Sequence, residues 1–272
     1  MEEAIVAFQG EPGAYSEEAV IKMFGDVKTY PCRTLSDVFE ALAQHRATDG
    51  LIPIENSLAG SINESYDLLL RHPFRIFGEV VLPVNHCLLA PKGATLDSIR
   101  RVYSHPQALA QCGEFLKELG VEAVAVYDTA GSARMIAEER IEHAAALASE
   151  RAAELYGLSV LARGVQSRAN NYTRFYAIGT REVARGDKNK TVLVLATAHR
   201  PAALFWVLGA FAYRQINLLK LESRPIGDRP WEYLFYLDVA AHISDSSLVE
   251  AISELSTKTV SLRVLGSFPM AT

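Results

Sequence analysis

The chain has 272 residues, of which 49% are hydrophobic and 22% charged, the balance of an ordinary globular protein with one or two domains. Its net charge of −5, with no clustering of Lys and Arg, argues against nucleic-acid binding. Three widely spaced cysteines (Cys32, Cys87 and Cys112) indicate neither a disulfide framework nor a CxxC metal site, and no apolar run of about 18 residues is present to cross a membrane.

Up to about residue 180, short apolar runs alternate with amphipathic stretches, which predicts βα units around a mainly parallel sheet. The first residues, MEEAIVAFQG, are acidic where a signal peptide would be basic, so we expect a cytoplasmic protein. The pattern predicts five strand and helix pairs: 4–8 with 17–24, 50–54 with 62–71, 101–104 with 107–119, 122–128 with 131–139, and 144–149 with 150–157.

The segment RIFGEVVLPVNHCLLAPKG (75–93) is long, apolar and rich in β-formers, with no helical pattern inside it. We therefore expect one strand to leave a first sheet here and another to enter a second. This divides the region into lobe one, about 1–80 plus 160–180, and lobe two, about 81–159.

The polar segment TREVARGDKNK (180–190) is typical of a linker, and the rhythm changes after it. The following runs predict the order βαββαβ of a ferredoxin-like domain. Pro201 is expected in the first turn of its first helix, and Ser244 or Asp245 as the N-cap of its second.

Four predicted strand-to-helix junctions are rich in small polar residues: QGEPGAYS (9–16), ENSLAGS (55–61), SHPQ (104–107) and DTAGS (128–132). Such junctions are also ordinary helix caps, but in an open α/β sheet they lie where ligands bind. Each helix N-terminus there favours an anion by roughly 0.3–1 kcal/mol. The pattern indicates a small, polar, anionic ligand. No GxGxxG, Walker, HExxH or GxSxG motif occurs, so no cofactor or metal is indicated.

Single residues at these junctions leave two interpretations open. His105 is a candidate general base or a residue that orients its loop, and Glu55 is a candidate acid or base or an acceptor of local hydrogen bonds. In NNYTRF (170–175), Thr173 suits a positioned proton donor and Arg174 a carboxylate clamp, or else Arg174 is a solvated charge at a strand start. Neighbours on a regular strand face opposite ways, so we expect 172–174 to be irregular or Arg174 to act from behind the cleft.

NNYTRF, together with GEPGAYS, IPIENSLAGSI, SHPQALAQC and DTAGSA, resembles the prephenate dehydratase family. The segments PAALFWVL, INLLKLESRP and WEYLFYLD are similar to the regulatory ACT domain of the same enzymes. The motifs cover nearly the whole chain in order. The resemblance implies an α/β fold, with a two-lobed catalytic region like type II periplasmic binding proteins (1–180), a linker (181–189) and a ferredoxin-like ACT domain (190–272).

The resemblance also implies a function: conversion of prephenate to phenylpyruvate, carbon dioxide and water, on the way to phenylalanine, with no cofactor. The essential threonine of the family falls on Thr173, followed by Arg174 and Phe175. The other cleft positions of the family fall on Ala14, Tyr15, Ser16, Glu55, Asn56, Ser57, Ser104 and Gln107.

ACT domains of the family pair side by side and bind L-phenylalanine as an effector, which implies a homodimer or homotetramer. The effector positions fall on Ala202, Ala203, Leu204, Asn217, Leu218, Glu222, Ser223, Arg224 and Pro225. This chain departs from the family at Ala202, where glycine is expected. An added methyl at a place of close backbone approach is expected to weaken or reshape the effector pocket.

Two alternatives remain beside prephenate dehydratase. An arogenate dehydratase would act on the same ring with an amine in place of the side-chain keto group, and no motif separates the two. A non-catalytic amino-acid sensor or solute-binding protein would keep both folds. The intact TRF triplet and the absence of a signal-like start count against that last alternative.

Overall fold

The computed structural model describes residues 4–226 and 229–271. It is an α/β fold with two sheets, and the chain divides into two compact units. Unit 1 comprises Met1–His72 and Val80–Tyr176, and unit 2 comprises Pro73–Glu79 and Ala177–Thr272.

Unit 1 contains eleven of the strands in the described ranges, two of which also have residues in unit 2. In chain order its elements are β1 (Ile5–Gln9), α1 (Tyr15–Phe24), β2 (Lys28–Cys32), α2 (Leu35–Ala43), β3 (Asp49–Asn56), β4 (Gly60–Ser61), α3 (Asn63–Arg71), β5 (Arg75–Pro83), β6 (Cys87–Ala90), a 3-10 turn (Leu96–Ser98), β7 (Arg101–Ser104), α4 (Pro106–Gln111), α5 (Gly113–Leu119), β8 (Glu122–Ala125), α6 (Thr129–Glu139), β9 (Ala144–Ala148), α7 (Glu150–Tyr156), β10 (Ser159–Arg163) and β11 (Tyr172–Gly179).

The first sheet of unit 1 has the order β11-β3-β1-β2, and β4 pairs with the end of β3. β1 is parallel to both β2 and β3, as the βα pattern predicts. β3 is buried along almost its whole length, which explains its continuous apolar run. The sheet thus brings the carboxyl ends of β1 and β3 to one edge.

β2 and α2 were not predicted from the sequence. The sequence of α2 nevertheless contains two features typical of a helix. Thr34 and Asp37 form a capping box at its start, and Leu35, Val38 and Phe39 form a buried apolar face. β2 has a weaker signal, because only Cys32 at its end is fully buried and Pro31 lies within it.

The second sheet has the order β10-β6-β9-β7-β8. β10 pairs with β6, so residues 159–163 lie in this sheet, whereas the expected boundary placed lobe one from about residue 160. The predicted helix 107–119 is two helices, because Cys112 leaves helical geometry (φ −107°, ψ 14°) and Gly113 follows it. The two segments that join the sheets, 84–86 and 164–171, run side by side: Val84 N–H donates to Asn171 O (2.8 Å) and Val165 N–H to His86 O (3.1 Å).

Unit 2 has the predicted order βαββαβ. Its elements are β12 (Asn189–Ala196), α8 (Ala203–Ala212), β13 (Leu218–Ile226), β14 (Arg229–Val239), α9 (Ser246–Lys258) and β15 (Ser261–Pro269). The strands form an antiparallel sheet, β13-β14-β12-β15, and α8 and α9 pack a shared apolar core against it. Asp245 is the N-cap of α9, as expected. Pro201 precedes α8, whose N-cap is Ala202 in the left-handed region (φ 63°).

Gly266 on β15 lies beside Ile76 at the start of β5, within unit 2. A Cβ at Gly266 would lie 2.0 Å from the carbonyl oxygen of Ile76, and backbone cannot move aside as a side chain can. We expect Gly266→Ala to lower the free energy of unfolding by about 1–3 kcal/mol, as overpacking does. Urea denaturation followed by circular dichroism measures the change.

Gly113→Ala is the matched control, because no atom lies within 4 Å of the added methyl. Alanine is the better helix former, so this variant should gain up to about 1 kcal/mol. Equal stabilities for the two variants would contradict the close approach at Gly266.

Candidate active site

A cavity of about 240 Å³ lies in unit 1, where all four polar junctions contribute lining residues. Of the residues predicted for the site, six line it: Tyr15, Ser16, Asn56, Gln107, Thr173 and Phe175. Further lining residues that the sequence reasoning did not select include Ser61, Val84, His86, Gln111 and Thr129. His105, which was left open above, also lines the cavity.

Five predicted residues do not line this cavity. Ala14 is the buried N-cap of α1, and Glu55 lies on β3 opposite Ser61 of β4. The Ser104 hydroxyl is buried and donates to Leu147 O at 2.7 Å. The Ser57 hydroxyl donates to Asn170 O (3.0 Å) and accepts from Tyr172 N–H (2.9 Å), so it joins two loops. Of these four, Ser57 makes a direct hydrogen bond to the loop that precedes Thr173.

Arg174 is the fifth. The segment 172–174 is regular β11 strand, in which Thr173 and Phe175 are buried and line the cavity while Arg174 between them does not. Strand alternation accounts for this, because successive side chains point to opposite faces. The expectation of an irregular backbone at 172–174 is therefore wrong. Arg174 is not among the lining residues, and the other expectation, that it acts from behind the cleft, stays a prediction.

The Thr173 hydroxyl is held by one amide. Asn56 Nδ2 donates to Thr173 Oγ1 at 3.1 Å, and also lies 3.2 Å from Tyr172 O and 2.8 Å from Asn171 Oδ1. Asn56 Oδ1 accepts from the backbone N–H groups of Leu58 and Ala59, both at 3.0 Å. Within the described ranges the hydroxyl hydrogen of Thr173 has no protein acceptor, so it can be donated to a ligand.

Buried His86 and partly buried Tyr15 form a pair on the cavity wall. Tyr15 Oη lies 3.0 Å from His86 Nδ1 and 2.8 Å from Asn85 O, and His86 Nε2 lies 3.0 Å from Gln111 Oε1. Burial raises the pKa of Tyr15 well above its usual value and lowers the pKa of His86. At neutral pH we therefore expect an uncharged phenol and an uncharged imidazole here.

The residues described as lining the cavity include no Asp, Glu, Lys or Arg. Its polarity comes from hydroxyls, amides, imidazoles and the N-termini of α1, α3 and α6, whose first residues lie at or next to the cavity. Unpaired N–H groups at helix N-termini favour anions. An adjoining groove shares Ala59, Gln107 and Gln111 with the cavity and carries the guanidinium of Arg168.

We expect Arg168→Gln to raise KM for an anionic substrate about two- to fivefold, since an exposed cation near a ligand contributes about 0.5–1 kcal/mol. kcat should stay within about twofold, because a contact made equally with the bound substrate and with the transition state affects KM and not kcat. Arg101→Gln serves as the control. It also removes one positive charge, but at the first residue of β7, whereas the cavity lies at the other end of that strand, where His105 follows it. A similar KM change in both variants would exclude a local role for Arg168.

The loop between β1 and α1, which places Tyr15 and Ser16, is fixed by contacts with α6 and α7. Ser149 Oγ donates to Gly13 O at 2.6 Å, and Arg134 pairs with Glu11 at 2.7 Å. Gly13 has φ +87°, and a Cβ there would lie 3.0 Å from Ala152 Cα. Glycine is required both by the left-handed backbone and by the close approach.

Among the described residues, no group of three or more His, Cys, Asp or Glu side chains is arranged to hold a metal ion. None of the helices in that part of the chain combines the length and hydrophobicity that crossing a membrane requires.

Comparison with known proteins identifies the family. A family model described as prephenate dehydratase matches residues 6–183. This chain belongs to the prephenate dehydratase family. Members of the family are lyases that catalyse a dehydration with decarboxylation.

The chain is similar along almost its whole length to plant members of the family. It is 45% identical over 278 residues to arogenate dehydratase/prephenate dehydratase 2, chloroplastic, of Arabidopsis thaliana, covering 98% of this chain and 73% of that protein. It is also 45% identical to arogenate dehydratase 3, chloroplastic, of the same plant, covering 97% of this chain and 67% of that protein.

Two solved structures resemble the chain closely. One is a prephenate dehydratase of Arthrobacter aurescens in complex with L-Phe, with 29% identity and a TM-score of 0.89 over 98% of this chain and 90% of that one. The other is GqqA, described as a novel type of quorum quenching acylase, with 36% identity and a TM-score of 0.90 over 98% of both chains.

Proposed function

We propose that this prephenate dehydratase family member acts on prephenate, converting it to phenylpyruvate, carbon dioxide and water. The observation that carries the proposal is the Thr173 hydroxyl. Its oxygen accepts from Asn56, its hydrogen has no acceptor in the described part of the chain, and Thr173 lines a cavity whose described lining includes no Asp, Glu, Lys or Arg. A hydroxyl in that state can donate to an oxygen that leaves a substrate.

The reaction needs one such donor. The bond between the ring and its carboxylate breaks, and carbon dioxide departs. The electron pair of that bond enters the ring and expels the hydroxide on the opposite ring carbon. Thr173 donates its hydrogen to that oxygen, which leaves as water, and one proton from solvent balances the reaction. Aromatisation supplies the driving force. Residues around the cavity orient the substrate and exclude water.

The lining favours prephenate over arogenate. Both carry two carboxylates, but arogenate adds an ammonium group, and no acidic side chain is among the described lining residues to pair with it. A dianion suits a cavity surrounded by helix N-termini better than a zwitterionic side chain does. Arogenate is the second candidate, because the two plant relatives described above have arogenate dehydratase in their names.

Turnover of both substrates by the purified chain tests the proposal: phenylpyruvate formed from prephenate, and phenylalanine formed from arogenate. We expect a higher kcat/KM for prephenate. A higher value for arogenate would transfer the proposal to that substrate. Turnover of neither, with L-phenylalanine still bound, would favour the non-catalytic sensor.

The similarity to GqqA raises acyl-group hydrolysis as a comparison. That chemistry needs a nucleophile activated by an adjacent base. Thr173 Oγ1 instead accepts a hydrogen bond from the Asn56 amide, which is a donor and cannot take its proton. The site geometry therefore favours the dehydratase reaction over an acylase reaction.

For unit 2 we propose an ACT-type regulatory domain that binds L-phenylalanine through the residues predicted above and pairs with a second copy. The Arthrobacter aurescens structure, which is a complex with L-Phe, supports this role. β13 is an edge strand with exposed Leu219 and Leu221, and α8 exposes Phe205 and Trp206. Sedimentation analysis distinguishes dimer from tetramer.

A cytoplasmic location also remains a prediction, since the plant relatives are named chloroplastic.

Ala202→Gly tests the departure from the family at the effector site. Ala202 has φ 63°, a left-handed conformation that glycine adopts without the Cβ penalty. We expect the change to raise the free energy of unfolding by about 0.5–1 kcal/mol. We also expect a stronger response to L-phenylalanine, measured as the concentration that halves activity. Ala203→Gly, within α8 next to it, should instead destabilise. Loss of stability in both variants would contradict strain at Ala202.

A further inference from the structure

A continuous hydrogen-bond chain runs from Asn56 through Asn171, Gln111 and His86 to Tyr15, and all of these residues except Asn171 line the cavity. Its direction can be determined from one end. Backbone N–H groups can only donate, and those of Leu58 and Ala59 both point at one side-chain atom of Asn56. That atom is therefore the amide oxygen. The other atom is the amide nitrogen, and its contact with Tyr172 O, which can only accept, agrees with this assignment.

The direction then passes from one amide to the next. Asn56 Nδ2 is a donor, so the atom of Asn171 that faces it at 2.8 Å is Oδ1. The other atom of Asn171 is Nδ2, which donates to Gln111 at 2.9 Å, so that the receiving atom is Oε1. The same Oε1 lies 3.0 Å from His86 Nε2, and an oxygen that only accepts requires a hydrogen on Nε2.

We propose that Asn171, Gln111 and His86 are positioning residues, which with Asn56 form a one-way hydrogen-bond chain that holds His86 in its Nε2–H form and leaves the Thr173 hydroxyl hydrogen free for the substrate. The first part concerns the chain alone, and the second rests on the proposed function. Asn56 has two amide hydrogens. Because Asn171 takes one, the other is directed towards Thr173 Oγ1 and Tyr172 O, and Thr173 keeps its own hydrogen for the cavity.

The chain ends at the Tyr15 hydroxyl, whose hydrogen has two possible acceptors. With the hydrogen of neutral His86 on Nε2, its Nδ1 is an acceptor, and the Tyr15 hydroxyl faces both Nδ1 and Asn85 O with a single hydrogen. Burial lowers the pKa of His86, which keeps this neutral form at neutral pH. The chain therefore joins β3, the two segments between the sheets, α4 and α1, and it reaches β11 through Thr173.

Imidazole nitrogen NMR on the unliganded protein with 15N-histidine tests the direction of the chain. Its spectrum distinguishes the two neutral tautomers, and the His86 signal is assigned by its loss in His86→Gln, or from the backbone if that variant does not fold. We expect the Nε2–H tautomer. The Nδ1–H tautomer would overturn the proposal.

Two isosteric variants test the link to catalysis. Gln111→Glu keeps an acceptor facing Asn171 and His86, whereas Asn171→Asp replaces the donor facing Gln111 by a second acceptor. Each variant adds one negative charge, and the two side chains are hydrogen-bonded neighbours. An effect on kcat that came only from the added charge or from disturbed packing would therefore be similar in both variants. We expect Asn171→Asp to lower kcat roughly tenfold or more, through loss of orientation. Gln111→Glu should keep the Nε2–H signal and raise KM more than it lowers kcat, because residue 111 lines the cavity.

Equal kcat losses in the two variants, or a larger loss in Gln111→Glu, would overturn the catalytic part. The tautomer needs no turnover to be observed, so the two proposals fail separately. An Nε2–H signal in a protein that converts neither prephenate nor arogenate would support the chain and reject the proposed function. An Nδ1–H signal in an active enzyme would do the reverse.

Discussion

Thr173→Ala is expected to lower kcat by about 10²–10⁴, the usual contribution of a positioned acid to a proton transfer. The substitution removes the hydroxyl of a cavity-lining residue, while the amide of Asn56 that donates to it remains in place. KM should change little, because a contact that strengthens only as the oxygen leaves affects kcat and kcat/KM equally. Phenylpyruvate formation over a range of prephenate concentrations measures both constants.

Thr173→Ser is the matched control, since it keeps the hydroxyl and loses only a methyl group. We expect it to retain activity within about tenfold of the wild type, because serine and threonine hydroxyls have the same donor capacity. Thermal unfolding of both variants verifies that the buried position tolerates them. An alanine variant as active as the serine variant would remove Thr173 from the mechanism.

Lys190→Met is expected to lower the free energy of unfolding by about 3–5 kcal/mol, as the loss of one partner of a buried ion pair does. In unit 2, Lys190 Nζ lies 2.6 Å from Glu79 Oε2 and 3.6 Å from Asp238 Oδ2, and all three side chains are at most 4% exposed. Methionine fills similar space but leaves two carboxylates buried near each other without the ammonium group. Urea denaturation at neutral pH measures the loss.

A matched variant isolates the cause. Lys188→Met makes the same chemical change at an exposed position two residues away and should stay within about 0.5 kcal/mol of the wild type. A comparable loss in both variants would contradict a specific role of the buried charge at Lys190.

Local patterns in the sequence were sufficient for much of the fold. β7 has the predicted bounds, and the order βαββαβ of unit 2 follows from runs whose periodicity is clear. The failures have local causes that a pattern cannot resolve. One helix was predicted over 107–119 because its apolar face is continuous, yet the backbone turns at Cys112. β2 and α2 were missed although α2 carries a capping box.

The candidate site divides in the same way. Junction residues such as Tyr15 and Asn56 were expected near one ligand site from the general rule for strand ends in α/β sheets, and they line one cavity. Thr173, which also lines it, was assigned to the site by the family resemblance. Arg174 was separated from them by strand alternation, which had been stated as an expectation. His86 lies in none of the motifs, and Gln111 lies in the motif SHPQALAQC but was not selected as a site residue. Their partners are 25 to 71 residues away and meet only in the folded chain. Contacts of that kind are set by packing and not by spacing.

The Thr173 hydroxyl hydrogen, which has no acceptor among the described residues, also has a consequence for the affinity of inhibitors. A compound that places an ether or carbonyl oxygen where the substrate hydroxyl departs would receive that hydrogen. A compound with a methyl group at the same point would enclose a polar hydrogen without an acceptor, at a penalty of about 1–3 kcal/mol. Two otherwise identical compounds should therefore differ in affinity by roughly one to two orders of magnitude, in favour of the oxygen.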